Sequence, residues 1–447
     1  MIDATDLAAR IRRREVSPVE ALAEHRERLD PALNAVVTES PRAEEDARAA
    51  ERAVLRGDEL GPLHGVPFTV KDTFDTAGLR TTRGSRLFAD RIPERDATVV
   101  ARARAAGGIL LGKTNTPEFA LWWETANLVF GRTSNPHDPR RTSGGSSGGE
   151  AVAVATGMSS LGIGSDLGGS IRLPAHYCGV VGFKPTHGRV PLTGHFPETI
   201  LRFMHAGPLA RSVRDAALAL AVLEGPDGED WYAGPLPSPP RNEAPLRVGW
   251  TAEPAFGRVE PEIAAAVTRA ADALAAAGYT VEQAELEGFA EVDTNALTLQ
   301  LYGAESGAYF EKLVAGRRDE LHPVLRRRLE LQAPTLDEYV AAEVAVEQLR
   351  RHLASFFRRN DILLCPTAPI IAPAHDSEEI RIAGLAYPPR AAMRTTIPFD
   401  LTGSPALTVP FARSGDGLPI GVQLVGRRFE DDTVLRVGAA LEGAIAS

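Results

Sequence analysis

The chain has 447 residues, of which 44% are hydrophobic and 24% are charged, as in ordinary soluble globular proteins. Its formal net charge of −10 argues against nucleic acid or an anionic membrane as the main partner. No apolar run approaches the roughly 18 residues of a membrane helix, and the N-terminal stretch shows no secretory signal. Two cysteines in so long a chain indicate a reducing compartment, so we expect a cytoplasmic protein without a disulfide framework.

The first 60 residues are predicted to be helical. A capping box at Ser17–Glu20, with proline at the first helical position, marks the start of the second helix. We expect the helical pattern to continue to about Leu60, where Gly61-Pro62 ends it. A short strand follows from Val66 to Val70 and ends at Lys71.

Strand and helix signals then alternate along the chain. Helices are predicted at 97–106 and 151–157, and short apolar strands at 109–111, around 163 and at 180–183. Strands that alternate with helices typically form parallel pairs, with the helices covering the sheet. This rhythm predicts an α/β fold built on a mostly parallel, buried sheet.

The second half continues the α/β pattern after a proline-rich connection at 235–245. Its predicted elements are strands at 246–250, 279–281, 361–366 and 406–410, and helices at 261–277, over most of 290–359 and from Thr433 onward. We therefore predict one large domain over 1–447, with a motif-bearing core at 5–235, a more variable α/β and helical part at 246–360, and a return to the core at 361–447.

Lysine is rare in this chain, and its positions are informative. Arginine supplies nearly all the positive charge, and the lysines are Lys71, Lys113, Lys184 and Lys312. A lysine retained in such a chain is a candidate for a task that arginine cannot perform, such as losing its proton. A single lysine in such a chain can be present by chance. Three of the four lysines, however, fall between residues 71 and 184.

A stretch with two glycine-serine clusters, residues 144–174, lies in the same segment. Acyl transfer needs a nucleophile, a base and amide donors for the oxyanion. Gly168-Gly169-Ser170 can supply nucleophile and donors together, because glycines let successive N–H groups turn inward. Ser146 lies in the other cluster. The alternative for a lone Gly-Gly-Ser is a tight strand-to-helix turn without chemistry.

Lys71 is the candidate base, provided that it is neutral. Moving a lysine pKa from about 10.4 to about 7 costs about 4.6 kcal/mol, which burial must supply. The apolar residues 65–70 before it make burial plausible, and strand alternation predicts that Asp72 points to the opposite face. The alternative is an ordinary surface lysine at the end of a strand.

Three other kinds of site fit the sequence poorly. A phosphate-binding P-loop needs lysine directly after the glycines, where Glu150 stands. Ser146 and Ser147 both match Gly-x-Ser-x-Gly, but the elbow of an α/β-hydrolase requires a preceding strand, and residues 135–142 are predicted to be a loop. The chain has neither the HExxH motif nor the paired-cysteine spacing of a zinc site.

Four segments together resemble the amidase signature family: GVPFTVKDTFDTAG, NPHDPRRTSGGSSGGEAVAVATG, GIGSDLGGSIRLPAHYCGVVGFKPTHGRV and IPFDLTGSPALTVPF with GLPIGVQLVG. The resemblance extends from about residue 5 to the C-terminus. It implies a single large domain with a mixed, mostly parallel sheet covered by helices on both faces.

The resemblance also implies a Ser-Ser-Lys triad. Lys71 matches the base, Ser146 the bridging serine after a cis peptide bond, and Ser170 the acylated nucleophile. The backbone amides that match the oxyanion hole are those of Leu167, Gly168, Gly169 and Ser170. We expect the enzyme to work without a cofactor, and without a metal because the sequence has no metal-site motif.

The pocket and the substrate are less constrained by these motifs. Trp122 and Trp123 fall in a region that lines the acyl pocket in relatives, although they could equally be packing residues. Ser147 and Phe196, the latter in a possible lid at 194–204, are further substrate-binding candidates. Glu150 makes the serine motif GGSSGGE, which is more similar to fatty acid amide hydrolase-like and small bacterial amidases than to the A chain of the glutaminyl-tRNA amidotransferase.

We therefore expect an amidase that acts on a small-molecule amide, without nucleic acid or membrane as partner and with a homodimer as one possible assembly. Two alternatives stay open. An amine could capture the acyl-enzyme, which would make the protein an amide synthase or acyltransferase, or the chain could be an A-type amidotransferase component that works only in a complex. The intact set of lysine and serines argues against an inactive binding protein.

Overall fold

The computed structural model describes residues 2–235, 237, 245–253 and 255–446. Most of the proline-rich connection predicted at 235–245 lies outside these residues. Among the described residues, no helix has the length and apolarity that crossing a membrane requires.

The strands of the described residues form one large sheet and two small ribbons. In chain order they are β1 (Val36–Glu39), β2 (Pro67–Lys71), β3 (Ile109–Thr114), β4 (Ala126–Asn127), β5 (Gly131–Arg132), β6 (Leu161–Asp166), β7 (Val181–Lys184), β8 (His205–Ala210), β9 (Arg247–Trp250), β10 (Thr280–Gln283), β11 (Ile362–Pro366), β12 (Ile380–Ile382), β13 (Leu385–Tyr387), β14 (Ala406–Arg413) and β15 (Pro419–Gly426).

The helices of the described residues are, in chain order, α1 (Ala4–Arg12), α2 (Pro18–Glu27), α3 (Ala43–Arg56), α4 (Thr98–Ala105), α5 (Gly148–Ala155), α6 (Arg172–Cys178), α7 (Val213–Leu223), α8 (Pro261–Ala276), α9 (Thr294–Leu313), α10 (Pro323–Leu329), α11 (Leu336–Arg359), α12 (Ile397–Leu401) and α13 (Asp431–Ala446). The predicted capping box at α2 is present: Glu20 N donates to Ser17 Oγ at 3.1 Å, and Ser17 N donates to the Glu20 carboxylate at 2.8 Å.

The large sheet has eleven strands in the order β1-β3-β2-β6-β8-β7-β14-β15-β11-β9-β10. Strands β3, β2 and β6 are mutually parallel, as are β11, β9 and β10. The other neighbours pair antiparallel, among them the hairpin of β14 and β15. The expected α/β fold with a mixed sheet is thus confirmed. Its parallel pairing, expected over most of the sheet, accounts for four of the ten neighbouring pairs in the described residues and is confined to these two groups.

Helices pack against both faces of this sheet. Helix α5 contacts β2 and β6, and it packs beside α6. On the other face, α7 contacts β8, and α1, α4 and α13 pack against α7. The strands between these layers are therefore almost entirely buried, which explains why they appear in the sequence as short continuous apolar runs.

One part of the N-terminal prediction is wrong. The first 60 residues are not helical throughout, because Val36–Glu39 forms β1, which pairs antiparallel with β3 at the edge of the sheet. Its four residues are only partly buried, so it has no apolar run that would mark it in the sequence. Pairing with a strand more than 70 residues later decides its conformation, and local propensity does not contain that information.

Candidate active site

The site forms where two neighbouring parallel strands end. Strand β2 ends at Lys71, and β6 ends at Asp166. Because β2 and β6 pair in parallel, their carboxyl ends meet at the same edge of the sheet, and the loops that follow can converge there. This topology brings Lys71 into contact with residues that lie 75 and 94 positions further along the chain.

Lys71 is fully buried and surrounded by hydroxyl groups. Its Nζ donates to Ser146 Oγ at 2.6 Å and to Ser165 Oγ at 3.0 Å. Burial lowers the pKa of Lys71 to about 7, although the nearby carboxyl groups of Asp166 and Glu150 act in the opposite direction. A large fraction of Lys71 is therefore neutral near pH 7, which is the state that can accept a proton.

Ser146 is held between a tight turn and the start of α5. The peptide bond between Gly145 and Ser146 is cis, as the family resemblance implies. At Gly149, in the first turn of α5, an added Cβ would lie 2.5 Å from the backbone nitrogen of Asn115. Only glycine fits this approach, so part of the glycine cluster serves to bring the start of α5 against its neighbours.

The second glycine cluster forms the turn from β6 to α6. Gly169 has φ +123°, a conformation that other residues rarely adopt, and an added Cβ there would collide with Thr396. The carboxylate of Asp166 accepts hydrogen bonds from Gly169 N at 2.5 Å and from Ile171 N at 3.0 Å. These bonds fix the turn that presents Ser170.

Three amides of this turn are free to bind an anion. Among the described residues, the backbone N–H groups of Leu167, Gly168 and Ser170 have no hydrogen-bond partner, whereas that of Gly169 is engaged by Asp166. The four amides expected for an oxyanion hole are thus close together, but Gly169 has a structural partner. Ser170 itself is 7% exposed and borders a cavity.

A buried ion cluster supports the turn from behind. Arg172 donates to Asp166 through Nε and Nη2, both at 3.0 Å, and to Asp400 through Nη2 at 2.7 Å. Burial raises the pKa of Asp166, but the charge of Arg172 outweighs this effect and lowers it. Burial and the charge of Asp166 raise the pKa of Asp400. Arg172 and Asp166 therefore form the ionised pair that anchors the turn.

Replacing Asp166 with asparagine is expected to lower the free energy of unfolding by about 3–5 kcal/mol, because it leaves Arg172 buried without its main counter-ion. Urea unfolding would measure this loss. Glu15→Gln is the matched control, since Glu15 pairs with Arg13 on the exposed surface and its loss should change stability little. Equal effects of the two substitutions would contradict a structural role for the buried pair.

The cavity in front of Ser170 is small, about 30 Å³, and has walls from distant parts of the chain. Trp122, Trp123, Leu167 and Gly168 line it, in agreement with their expected positions near the site. Residues that the sequence analysis did not single out complete the wall: Ala120, Leu121, Tyr302, Arg328, Arg390 and Met393. Ser170 therefore borders a space whose walls come from several separate segments of the chain.

The structure does not bring Ser147 and Phe196 to this cavity. Ser147 is buried, and its Oγ donates to the carbonyl oxygen of Ser165 at 3.2 Å. Phe196 packs in an aromatic cluster, with its ring centroid 5.1 Å from that of Phe119. Ser147 was predicted to bind substrate because it is adjacent to Ser146 in the sequence. Successive residues in a turn point in different directions, so this adjacency does not bring Ser147 to the cavity.

Two further lysines have structural partners. Lys113 is fully buried, with Nζ bonded to the carbonyl oxygen of Phe74 and, at 2.8 Å, to Thr76 Oγ1. Lys184 is also fully buried, with Nζ bonded to the carbonyl oxygen of Ser404. Burial lowers the pKa of Lys113 to about 8 and that of Lys184 to about 7. Lys71 differs from both because its closest partner is a hydroxyl group, that of Ser146, whereas the closest partner of each of the others is a backbone carbonyl oxygen.

Tyr302 is the most informative residue that sequence analysis missed. Its hydroxyl group donates to the carbonyl oxygen of Leu167 at 2.7 Å, so α9 supports the turn that carries Ser170. The two residues are 135 positions apart. Nothing in the local pattern of α9 distinguishes Tyr302 from a packing residue.

Known proteins are similar to this chain over nearly its whole length. The profile of the Amidase family matches residues 18–435. The A chain of the glutamyl-tRNA(Gln) amidotransferase of Moorella thermoacetica is 36% identical, covering 99% of this chain and 96% of that protein. The indoleacetamide hydrolase of Bradyrhizobium diazoefficiens is 35% identical, covering 98% of this chain and 86% of the hydrolase. A solved bacterial aryl acylamidase of the amidase signature family has a TM-score of 0.90 and 28% identity, covering 99% of this chain and 96% of its own.

The fold and the similarities define an α/β enzyme that acts on amide bonds. The chain belongs to the amidase signature family.

Proposed function

We propose that this amidase hydrolyses a small-molecule carboxamide to a carboxylate and ammonia or an amine through an acyl-enzyme on Ser170. Ser146 relays the proton, and Lys71 is the base. The observation that carries this assignment is the 2.6 Å contact between Lys71 Nζ and Ser146 Oγ, both of which are buried from solvent. A lysine with a pKa of about 7 is matched to a general base at neutral pH.

In the first half-reaction, neutral Lys71 takes the hydroxyl proton of Ser146 while Ser146 Oγ takes that of Ser170. Ser170 Oγ bonds to the carbonyl carbon, and the oxyanion accepts hydrogen bonds from the free amides of Leu167, Gly168 and Ser170. Collapse of this intermediate re-forms the carbonyl and breaks the C–N bond. The proton on Lys71 returns through Ser146 to the leaving nitrogen.

In the second half-reaction, water takes the place of the amine. It loses a proton through Ser146 to Lys71 and bonds to the acyl carbon. Collapse then breaks the ester bond, Ser170 Oγ recovers the proton, and the acid leaves. An amine in place of water would give a new amide by the same steps, which is why synthase activity is a natural alternative.

A second candidate function is that of the A-type component of an amidotransferase complex. It is favoured by the similarity to the A chain of the glutamyl-tRNA(Gln) amidotransferase over 99% of this chain. The net charge of −10 favours an enzyme that does not itself contact tRNA. Ammonia release by the purified chain distinguishes the two functions, because a free-standing amidase releases ammonia without a partner.

The expected setting is the cytoplasm, with a small amide as substrate, no nucleic-acid or membrane partner and a homodimer as one assembly. We also propose the division of the chain into a motif-bearing core (5–235 and 361–447) and a variable part (246–360). Tyr302 and Arg328 from the variable part line the cavity, which supports a role for that part in substrate choice.

A carboxamide panel with hydroxylamine tests the proposed function. The purified chain should release ammonia from at least one aliphatic or aromatic carboxamide, and added hydroxylamine should divert part of the product to a hydroxamate, because it competes with water for the acyl-enzyme. Mass spectrometry should find the acyl group on the peptide that contains Ser170. Product formation without hydroxamate and without acylation would contradict the covalent route.

A further inference from the structure

Helix α11 has apolar side chains on two opposite faces. Its inner face is buried against the rest of the protein and contains Ala342, Val346, Leu349, Leu353 and Phe356. On the opposite face, Leu336, Val340 and Val344 recur every four residues and are 75%, 51% and 53% exposed. Single exposed apolar residues are normal on a protein surface, but a row of three on one helix face is typical of a surface that packs against another protein.

Exposed apolar residues continue beyond the N-terminal end of α11. Leu299 of α9 and Leu331, which precedes α11, are both exposed. Together with Leu336 they line a groove of about 1030 Å³ between α9 and α11. The row on α11 is therefore part of a larger apolar region of the surface.

Two charges of opposite sign lie near the two ends of this row. Asp337 is in the first turn of α11, and Arg351 is more than two turns before its C-terminal end. Both are exposed, and within the described part of the chain neither side chain has an ion-pair or hydrogen-bond partner. The helix dipole favours an acidic residue at the position of Asp337, but its effect does not reach as far as Arg351.

The spacing of these charges is symmetric about Val344. Asp337, Val344 and Arg351 are seven residues apart, so they lie on the same face of α11, and each charge is about 10 Å from Val344 along the helix. If two copies of α11 crossed antiparallel at Val344, each Asp337 would lie opposite the partner's Arg351. A parallel arrangement would place like charges opposite each other, which is unfavourable.

We propose that this outer face of α11, with Asp337, Val340, Val344 and Arg351, is the interface of a homodimer in which two α11 helices pack antiparallel about a two-fold axis at Val344. The occupant is a second copy of the chain, because one helix supplies both halves of each charge pair, as a two-fold interface requires. The apolar row forms the centre of the interface, and two equivalent ion pairs flank it. The inference names the surface of the homodimer included in the proposed function and does not depend on the acyl-transfer chemistry.

Sedimentation velocity of the full chain at micromolar concentrations tests this interface. The wild-type chain should sediment as a dimer, and Val344→Asp should make it a monomer, because two carboxylates would meet at the two-fold axis. Asp337→Arg and Arg351→Asp should each weaken the dimer about tenfold or more, since each places two pairs of like charges across the interface. The double variant Asp337→Arg/Arg351→Asp restores opposite charges and should recover the dimer. Leu55→Asp is the matched control, because Leu55 is an exposed apolar residue of α3, outside this face, and its change should leave the dimer intact.

The outcomes separate this inference from the proposed function. A wild-type chain that is monomeric yet hydrolyses a carboxamide would overturn the interface and leave the amidase function intact. A dimer that persists in Val344→Asp, or that the double charge reversal does not restore, would overturn the antiparallel packing of α11. A dimer with all the expected responses but no hydrolysis of any carboxamide would retain the interface and overturn the proposed function.

Discussion

The Ser170→Ala variant is expected to lose about 10⁴- to 10⁶-fold in kcat, because it lacks the oxygen that forms the acyl-enzyme. Its stability should stay close to that of the wild-type chain, since the change removes one oxygen atom at the edge of a cavity. Steady-state kinetics on the best carboxamide of the panel, together with thermal unfolding, would measure both quantities.

Ser147→Ala is the matched control for this prediction. Ser147 is a buried serine of the other glycine cluster, and its hydroxyl group bonds to the backbone of Ser165. Its removal should cost about 1 kcal/mol of stability and leave most of the activity. If Ser170→Ala kept most of the activity, or if Ser147→Ala lost it as completely, Ser170 would not be the nucleophile.

Replacing Lys71 with methionine should reduce kcat/KM at pH 7 by about 10²- to 10⁴-fold. Methionine is unbranched and only one atom shorter than lysine, but it cannot accept a proton. In the wild-type enzyme, Lys71 acts in its neutral form, which predominates above its pKa of about 7. We therefore expect kcat/KM to rise about tenfold per pH unit below pH 7 and to level off above it. The kcat/KM of the variant should lack this rise. It should recover partly at alkaline pH, where hydroxide can act as the base in place of Lys71.

Lys113→Met provides the comparison for the pH profile. Lys113 is equally buried, on the neighbouring strand β3, and it bonds to Phe74 and Thr76. The substitution should lower stability, because it leaves these acceptors unpaired, yet the rise in kcat/KM near pH 7 should persist. If the rise survived in Lys71→Met and disappeared in Lys113→Met, the titrating group would be Lys113, and Lys71 would not be the base.

The sequence predicted the centre of this site better than its walls. The three lysines between residues 71 and 184 stand out because lysine is rare, and all three are fully buried. The sequence singled out one serine in each glycine cluster; Ser146 bonds to Lys71, and Ser170 borders the cavity. Ser147 and Phe196 do not reach the cavity, because adjacency in sequence, or a place in a suspected lid, does not determine which way a side chain points.

Strand β1 and residue Tyr302 show a second kind of limit. Both owe their roles to partners far away in the chain: β1 pairs with β3, and Tyr302 bonds to Leu167. A short, partly exposed strand and one tyrosine on a long helix carry no local signal that reveals these partners. Arg328 and Arg390 also line the cavity, yet in the sequence they look like ordinary arginines of an arginine-rich chain.

By itself, the sequence determined the chemistry of this protein: the α/β class, the family, and a lysine and two serines suited to acyl transfer. These features depend on glycines and hydroxyl groups whose effects are local, within turns of a few residues. Only the tertiary structure decided which side chains line the cavity, and that Tyr302 supports the turn that carries Ser170. Those properties arise from packing between segments that are distant in the chain, and long-range packing is not encoded in any short stretch of it.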